Sequence, residues 1–250
     1  MALLKVMLLL GLGVSVNSDV SLQKRIIGGH NCDDTDRLYH VRLEVTNGQT
    51  TTICGGSLIN PKWILTTDTC WKSGEGWYSQ VVLRVHSRTG GRKISGIQGK
   101  PVVYAPEGWH HDIILLKLPR QQIDIPLAPL PDCSNRPKIG DTVQLAGEGA
   151  TTTGPNNRHL SNAAAAPHLQ CVDMNVVQLS HFLQPYGRLF SASAPNKDAC
   201  YGDAGSAVVF NGMIYGVISP GLPVYACERP VLIMDVCEYI GWIRRTIGHK

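Results

Sequence analysis

The chain has 250 residues, of which 43% are hydrophobic and 17% charged, and its formal net charge is +4. This balance fits one large or two small packed domains and argues against a disordered or fibrous chain. So small a basic excess gives no support to nucleic-acid binding. With 26 glycines, 15 prolines and few aromatic residues, the composition favours many short strands joined by turns.

The start of the chain has the pattern of a targeting and processing segment. Residues 1–18 combine a basic residue with an apolar run and small residues near its end, which predicts a secretory signal peptide. The run is shorter than the roughly 20 apolar residues of a membrane span, and we expect no such span elsewhere. Residues 19–25 are polar and end in two basic residues, which predicts an activation peptide cut between Arg25 and Ile26. We therefore expect a secreted, extracellular protein.

The remainder of the chain has the pattern of an all-β protein. Alternating apolar segments such as YHVRLEV, QVVLRV and TVQLAG are separated by clusters of Gly, Pro, Asn and Ser. Only the last segment, VCEYIGWIRRTIGHK, has the 3.6-residue apolar spacing of a helix, through Val236, Ile240, Ile243 and Ile247. The pattern predicts a β-barrel or β-sandwich followed by a C-terminal helix.

The eight cysteines fit an extracellular protein, because disulfides persist in oxidising compartments. No CxxC pair or His/Cys cluster has zinc-ligand spacing, so we expect no metal site. Nothing in the sequence indicates a cofactor.

Four stretches occur in a specific order along the chain: RIIGG (25–29), LTTDTC (65–70), HDIILLKL (111–118) and CYGDAGSAVV (200–209). In this order and spacing the chain resembles the chymotrypsin/trypsin-like family of serine proteases. The resemblance covers 26–250, and it implies two packed six-stranded antiparallel β-barrels with a C-terminal α-helix. It also implies an active site in the cleft between the barrels.

The resemblance places the three catalytic side chains of the family at Thr69, Asp112 and Ala204. The family requires a serine nucleophile, a histidine that takes and returns its proton, and an aspartate that orients the histidine. Here the aspartate is kept, threonine stands for histidine and alanine stands for serine. The methyl group of Ala204 forms no acyl-enzyme, and the hydroxyl of Thr69 is no general base near neutral pH. We therefore expect a catalytically inactive homologue.

A relocated catalytic group is the alternative. Ser206 lies two residues beyond Ala204, a displacement of several ångströms that near-attack geometry does not tolerate. His110 and His111 precede Asp112, but a histidine next to the aspartate on a strand points to the opposite face. A trypsin-family endopeptidase with weak or altered residual activity stays open as the second hypothesis.

Other parts of the family's machinery are retained. The resemblance makes the backbone N–H groups of Gly202 and Ala204 an oxyanion hole, which does not depend on the lost side chain. It pairs Asp203 with the new amine of Ile26 after activation, since a buried carboxylate without a partner is costly.

The specificity pocket of the family is altered. The resemblance places Asp198 at the pocket floor, as in enzymes that prefer Lys and Arg, and Ser219 and Gly221 on the pocket wall. Pro220 replaces the usual tryptophan, and Val231 stands where glycine is usual. We expect that long basic side chains no longer reach the floor.

By family position we expect four disulfides: Cys32–Cys171, Cys54–Cys70, Cys133–Cys237 and Cys200–Cys227.

We therefore expect the protein to be a monomer that binds an extracellular protein or glycan partner. We expect it to bind neither nucleic acid nor membrane. It would serve as an inhibitor decoy, a cofactor of active proteases, a signalling ligand or a defence protein. An unprocessed storage or structural protein is a third possibility.

Overall fold

The computed structural model describes residues 26–86, 91–150, 153–159, 166–179, 187–219 and 226–248. The predicted signal peptide, the activation peptide with Arg25, and the pocket residues Pro220 and Gly221 lie outside the described residues.

Fourteen strands and one α-helix are present in these ranges, together with three short 3₁₀ turns. In chain order they are β1 (His30–Asn31), β2 (His40–Thr46), β3 (Thr51–Asn60), β4 (Trp63–Thr66), β5 (Tyr78–Leu83), β6 (Lys93–Gly96), β7 (Val102–Val103), β8 (Ile114–Lys117), β9 (Thr142–Gly147), β10 (Gln170–Leu179), β11 (Leu189–Ser193), β12 (Ala207–Phe210), β13 (Met213–Ile218), β14 (Val231–Asp235) and α1 (Val236–Ile247). The 3₁₀ turns are Asp68–Cys70, Pro106–Gly108 and Pro155–Asn157.

The N-terminal sheet has the antiparallel order β6-β5-β2-β3-β4-β8-β7. Its core forms because alternate residues of a strand point to the same face. Val41, Leu43 and Val45 of β2 are thus buried within this half of the molecule. His40 and Arg42 alternate with them and are buried as well, because both contact Glu148 of the second half. The sheet curls, and its edge strands β6 and β7 do not pair with each other in the described part of the chain.

The C-terminal sheet closes into a barrel. Its order is β1-β10-β11-β14-β13-β12-β9, and a further pairing of β9 with β10 joins the ends, so that β9 to β14 form a closed six-stranded barrel. This confirms the predicted all-β architecture. In the described residues the N-terminal half is an open, curled sheet of seven strands, where a closed six-stranded barrel was expected.

The C-terminal helix α1 begins where Asp235 accepts a hydrogen bond from the N–H of Cys237 and ends at Gly248, whose φ of +79° suits glycine. Ile243 and Ile247 are buried as the spacing predicts, whereas Ile240 is only half-buried. Tyr239 is buried instead, since its ring packs edge-on against Tyr104 of the N-terminal half. The helix therefore contacts the N-terminal half through Tyr239 and also packs against β13 of the C-terminal sheet.

Three of the four expected disulfides are present, namely Cys32–Cys171, Cys54–Cys70 and Cys133–Cys237. The pairing of Cys200 with Cys227 stays a prediction. A loop the size of that between Cys54 and Cys70 is typically stabilised by about 3 kcal/mol through the unfolded state. No helix of the described ranges has both the length and the apolar character needed to cross a bilayer.

Candidate functional site

The site lies where the turn before β12 packs against β3 of the N-terminal sheet. The N–H of Gly55 donates to the carbonyl of Ala204 at 2.7 Å. Gly205 has a φ of +83°, and a Cβ there would overlap the carbonyl of Gly55 and the hydroxyl of Thr66. Only glycine allows this close approach. The turn is thus fixed against the other half of the molecule.

Asp112 lies at the centre of the site and accepts hydrogen bonds on both carboxylate oxygens. The backbone N–H and the hydroxyl of Thr69 donate to Oδ1 at 2.9 and 2.8 Å, and the hydroxyl of Ser219 donates to Oδ2 at 2.5 Å. The adjacent Cys70 has its Sγ 3.7 Å from the carbonyl oxygen of Ala204. Thr69 and Asp112 are therefore in direct contact, and Ala204 lies beside Cys70, the residue that follows Thr69.

The groups that donate to Asp112 are two hydroxyls and a backbone N–H. Burial raises the pKa of Asp112, while the hydrogen bonds from Ser219 and Thr69 act in the opposite direction. The Thr69 hydroxyl uses its one proton on Asp112, and it has no titratable nitrogen that could pass a proton towards Ala204. In the described part of the chain, no imidazole is among the hydrogen-bond partners of Asp112.

Ser206 is closed to substrate. Its residue is 0% exposed, and its hydroxyl points at Gly55, where a Cβ would overlap it. Within the described ranges this hydroxyl has no hydrogen-bond partner. A nucleophile needs both access to the substrate and a base within hydrogen-bond reach. The geometry is that of a packing residue.

The two histidines before Asp112 contact other groups. His110 has 64% of its side chain exposed and lies 3.9 Å from the carboxylate of Asp68. His111 is buried, with Nδ1 2.9 Å from the hydroxyl of Tyr239. Burial lowers the pKa of His111, and the charge of Arg188 adds to this. His111 thus faces the helix α1.

Asp203 is fully buried in a pocket lined by backbone. The N–H groups of Gly149 and Cys200 each donate to its carboxylate at 2.7 Å. Burial raises the pKa of Asp203 to about 7, although these two hydrogen bonds oppose the rise. Ile26 is also fully buried, in the core of the C-terminal barrel, and in the uncut chain its nitrogen is an amide. The pairing of Asp203 with a free Ile26 amine stays a prediction.

The two residues of the predicted oxyanion hole, Gly202 and Ala204, precede and follow Asp203 in the sequence. Gly202 has a φ of +103°, and a Cβ there would come within 2.8 Å of the Cα of Gly149, so the position requires glycine. Whether the N–H groups of Gly202 and Ala204 serve an oxyanion stays a prediction.

The predicted pocket floor contains a residue that the sequence did not reveal. The buried carboxylate of Asp198 accepts the N–H of Cys227 at 2.7 Å, and Nε2 of His159 lies 3.2 Å from the same oxygen. Burial raises the pKa of Asp198, and the hydrogen bond from Cys227 and the charge of His159 oppose the rise. The neighbouring ring of Tyr201 meets the imidazole edge-on.

Two other predicted pocket residues, Ser219 and Val231, lie within the described ranges. Ser219 is buried and bonded to Asp112, and Val231 is 5% exposed within the core of the C-terminal barrel. That Val231 also narrows the pocket stays a prediction.

The family model described as Trypsin matches residues 26–243. The chain belongs to the trypsin family. It is 30% identical to a trypsin of Xenopus laevis, covering 99% of both chains, and 29% identical to serine protease 1 of Rattus norvegicus, covering 94% of this chain and 95% of the relative. A solved structure described as GrC superposes with a TM-score of 0.72 at 24% identity, covering 90% of this chain and 100% of that one, which shows the fold.

A buried ion pair joins the two halves of this trypsin-family chain. The guanidinium of Arg42 donates to both carboxylate oxygens of Glu148, at 3.0 and 2.5 Å. Burial by itself raises the pKa of Glu148, but the neighbouring His40 and Arg42 outweigh it and lower the pKa to about 2. The pair adjoins the Asp203 pocket, because Glu148 lies between two glycines that face Asp203. No sequence signal connects residues 106 positions apart.

The described residues contain no group of three or more His, Cys, Asp and Glu side chains that could hold a metal ion.

Replacing Ser206 by alanine should leave the fold intact. The free energy of unfolding of the protein should rise by up to about 1 kcal/mol, because a buried hydroxyl without a hydrogen bond carries a desolvation cost. Urea denaturation at constant pH measures this change. The matched control is Ser219→Ala, which removes a hydrogen bond to a buried carboxylate and should destabilise the protein by about 1.5–3 kcal/mol. Equal losses in both variants would contradict the packing role of Ser206.

Proposed function

We propose that this trypsin-family protein is a secreted, catalytically inactive homologue that acts by binding other macromolecules. The observation that carries the proposal is the state of Asp112. Hydroxyl groups of Thr69 and Ser219 occupy its two oxygens, and the position of the nucleophile has only the methyl group of Ala204.

This arrangement removes both halves of the family's covalent chemistry. Without a hydroxyl at Ala204 no acyl-enzyme forms, and without an imidazole at Thr69 no group takes the proton of an attacking water. Ser206 does not replace the nucleophile, because it is fully buried and its hydroxyl has no hydrogen-bond partner among the residues that the structure describes. What is left is the acceleration from the oxyanion hole and binding, roughly 10³–10⁴ over water, which is too little for physiological proteolysis.

A binding role is supported by what the chain keeps. The ion pair of Arg42 with Glu148 and the closely packed turn at Gly205 hold the two halves together. The disulfides support an extracellular location, where such bonds persist. A rigid scaffold of this kind presents loops to a protein or glycan partner in a decoy, cofactor, signalling or defence role.

Peptide hydrolysis tests the catalytic half of the proposal. Protein cut at Arg25–Ile26 should hydrolyse a peptide library no faster than its Asp112→Asn and Ser206→Ala variants, because neither side chain takes part in a reaction. Residual triad chemistry would instead fall about 10⁴-fold when the aspartate is replaced. A rate that disappears in either variant would support the second hypothesis, a weak endopeptidase.

Affinity capture from the native extracellular fluid tests the binding half. We expect at least one partner that binds saturably and is released by excess untagged protein. Failure of both the cut and the uncut chain to retain such a partner would favour the storage hypothesis.

A further inference from the structure

The carboxylate of Asp198 already has a side-chain partner within the chain, the imidazole of His159. Its side chain and that of His159 are 2% and 1% exposed, with 3.2 Å between the nearest carboxylate and imidazole atoms. The two residues are 39 positions apart, so the contact is made by folding and not by local sequence.

The loop that carries His159 is fastened to the segment beside Asp198. The carbonyl of Asn157 accepts the N–H of Ala226 at 2.9 Å, one residue before Cys227, whose own N–H donates to Asp198. The Pro155–Asn157 turn is closed by the N–H of Gly154, which donates to the carbonyl of Arg158 at 2.8 Å. Backbone hydrogen bonds therefore fix the segment that precedes His159 and tie it to the segment that contacts Asp198.

A buried carboxylate is costly unless hydrogen bonds or a positive charge compensate it. Oδ2 of Asp198 has this compensation from the N–H of Cys227 and from His159. A planar cation from outside, such as an amidinium or guanidinium group, donates two parallel hydrogen bonds to a carboxylate. To do so here it must displace the imidazole.

We propose that His159 is an internal ligand of Asp198, which holds this pocket closed to external amidinium and guanidinium cations. The inference does not rest on catalytic inactivity, because it concerns equilibrium binding of a small cation and involves no reaction.

Titration of the full chain with p-aminobenzamidine, followed by its fluorescence, tests the proposal. Two pairs of proteins are compared, and the members of each pair differ only at His159. The first pair is wild type and the His159→Ala variant. The second pair is the Val231→Gly variant and the His159→Ala/Val231→Gly double variant. The second pair is included because Val231 is itself predicted to narrow the pocket. We expect removal of His159 to tighten binding at least about tenfold in one pair or both, since it frees the carboxylate. Adding Asp198→Asn to the tighter variant should abolish the gain.

Affinities that differ by less than twofold within both pairs would overturn the proposal, as would a gain that survives Asp198→Asn. Circular dichroism checks that each variant is folded.

Wild-type protein gives a second measurement that needs no variant. Diethylpyrocarbonate should modify His159 at least about ten times more slowly than His110, whose side chain is 64% exposed, as judged by peptide mass spectrometry. Equal rates at His159 and His110 would overturn the proposal even if the variants do not fold.

Discussion

The Thr69→His/Ala204→Ser double variant should hydrolyse p-nitrophenyl acetate at least about 10³-fold faster than either single variant, because triad residues act as a unit. The supporting bonds are already in place. The N–H of residue 69 and the hydroxyl of Ser219 both donate to Asp112, and the turn of residue 204 is fixed by Gly55. An activated ester is the suitable substrate, since it needs no side-chain pocket.

The matched control adds Asp112→Asn to the double variant. Loss of the correct histidine tautomer should return the rate to about that of the single variants. A double variant no faster than its singles would show that residues 69, 112 and 204 do not share triad geometry.

The same double variant should still fail to cleave after arginine. Asp198 is occupied by His159, and Val231 and Pro220 are predicted to restrict the pocket further. Efficient hydrolysis of an arginine peptide would show that the pocket is open in the wild-type chain.

The uncut chain should lose stability as the pH rises from about 4 to about 7, because of Asp203. Its pKa is about 7 in the folded chain against an ordinary 3.8, so the folded state binds the proton more tightly than the unfolded state. The stabilisation is fully present below the unfolded pKa and is lost as the pH passes through the folded pKa. A difference of this size corresponds to about 4 kcal/mol.

Urea denaturation of the uncut chain at several pH values measures this decline. The control is Asp203→Asn, which does not titrate; its overall stability is expected to be lower, but its decline between pH 4 and 7 should be smaller by the Asp203 contribution. Glu148 affects stability in a different pH range. Because folding lowers its pKa from 4.5 to about 2, its contribution to stability is lost only as the pH falls below about 4.5. An identical decline in wild type and variant would contradict a protonated Asp203 in the uncut chain.

The sequence predicted those parts of the fold that depend on local pattern. Alternation along β2 predicted a strand with Val41, Leu43 and Val45 inward, and the 3.6-residue spacing predicted α1. The pattern misjudged Ile240, because the helix also packs through Tyr239, whose aromatic partners lie far away along the chain. The edges of the N-terminal sheet were not predictable, since strand pairing across long separations leaves no periodic signal.

The sequence predicted those residues of the candidate site that lie within the family's motifs. Thr69 is hydrogen-bonded to Asp112, Ala204 lies beside Cys70, and Ser206 is buried, while the shared triad geometry of residues 69, 112 and 204 stays a prediction. Two buried side-chain contacts were not predicted, that of His159 with Asp198 and that of Arg42 with Glu148. Each joins loops or strands from different parts of the chain, and a lone histidine or arginine in a sequence does not indicate its partner.

Reaction of wild-type protein, cut at Arg25–Ile26, with a serine-directed fluorophosphonate tests catalytic inactivity most directly. The reagent labels only a serine activated by a neighbouring base, so a small active fraction is visible by mass spectrometry without a known substrate. A trypsin treated in parallel is the positive control, and the Thr69→His/Ala204→Ser variant reports whether the site is accessible. We predict no labelled serine in the wild-type protein, whereas covalent label on Ser206 would contradict the proposed loss of catalysis.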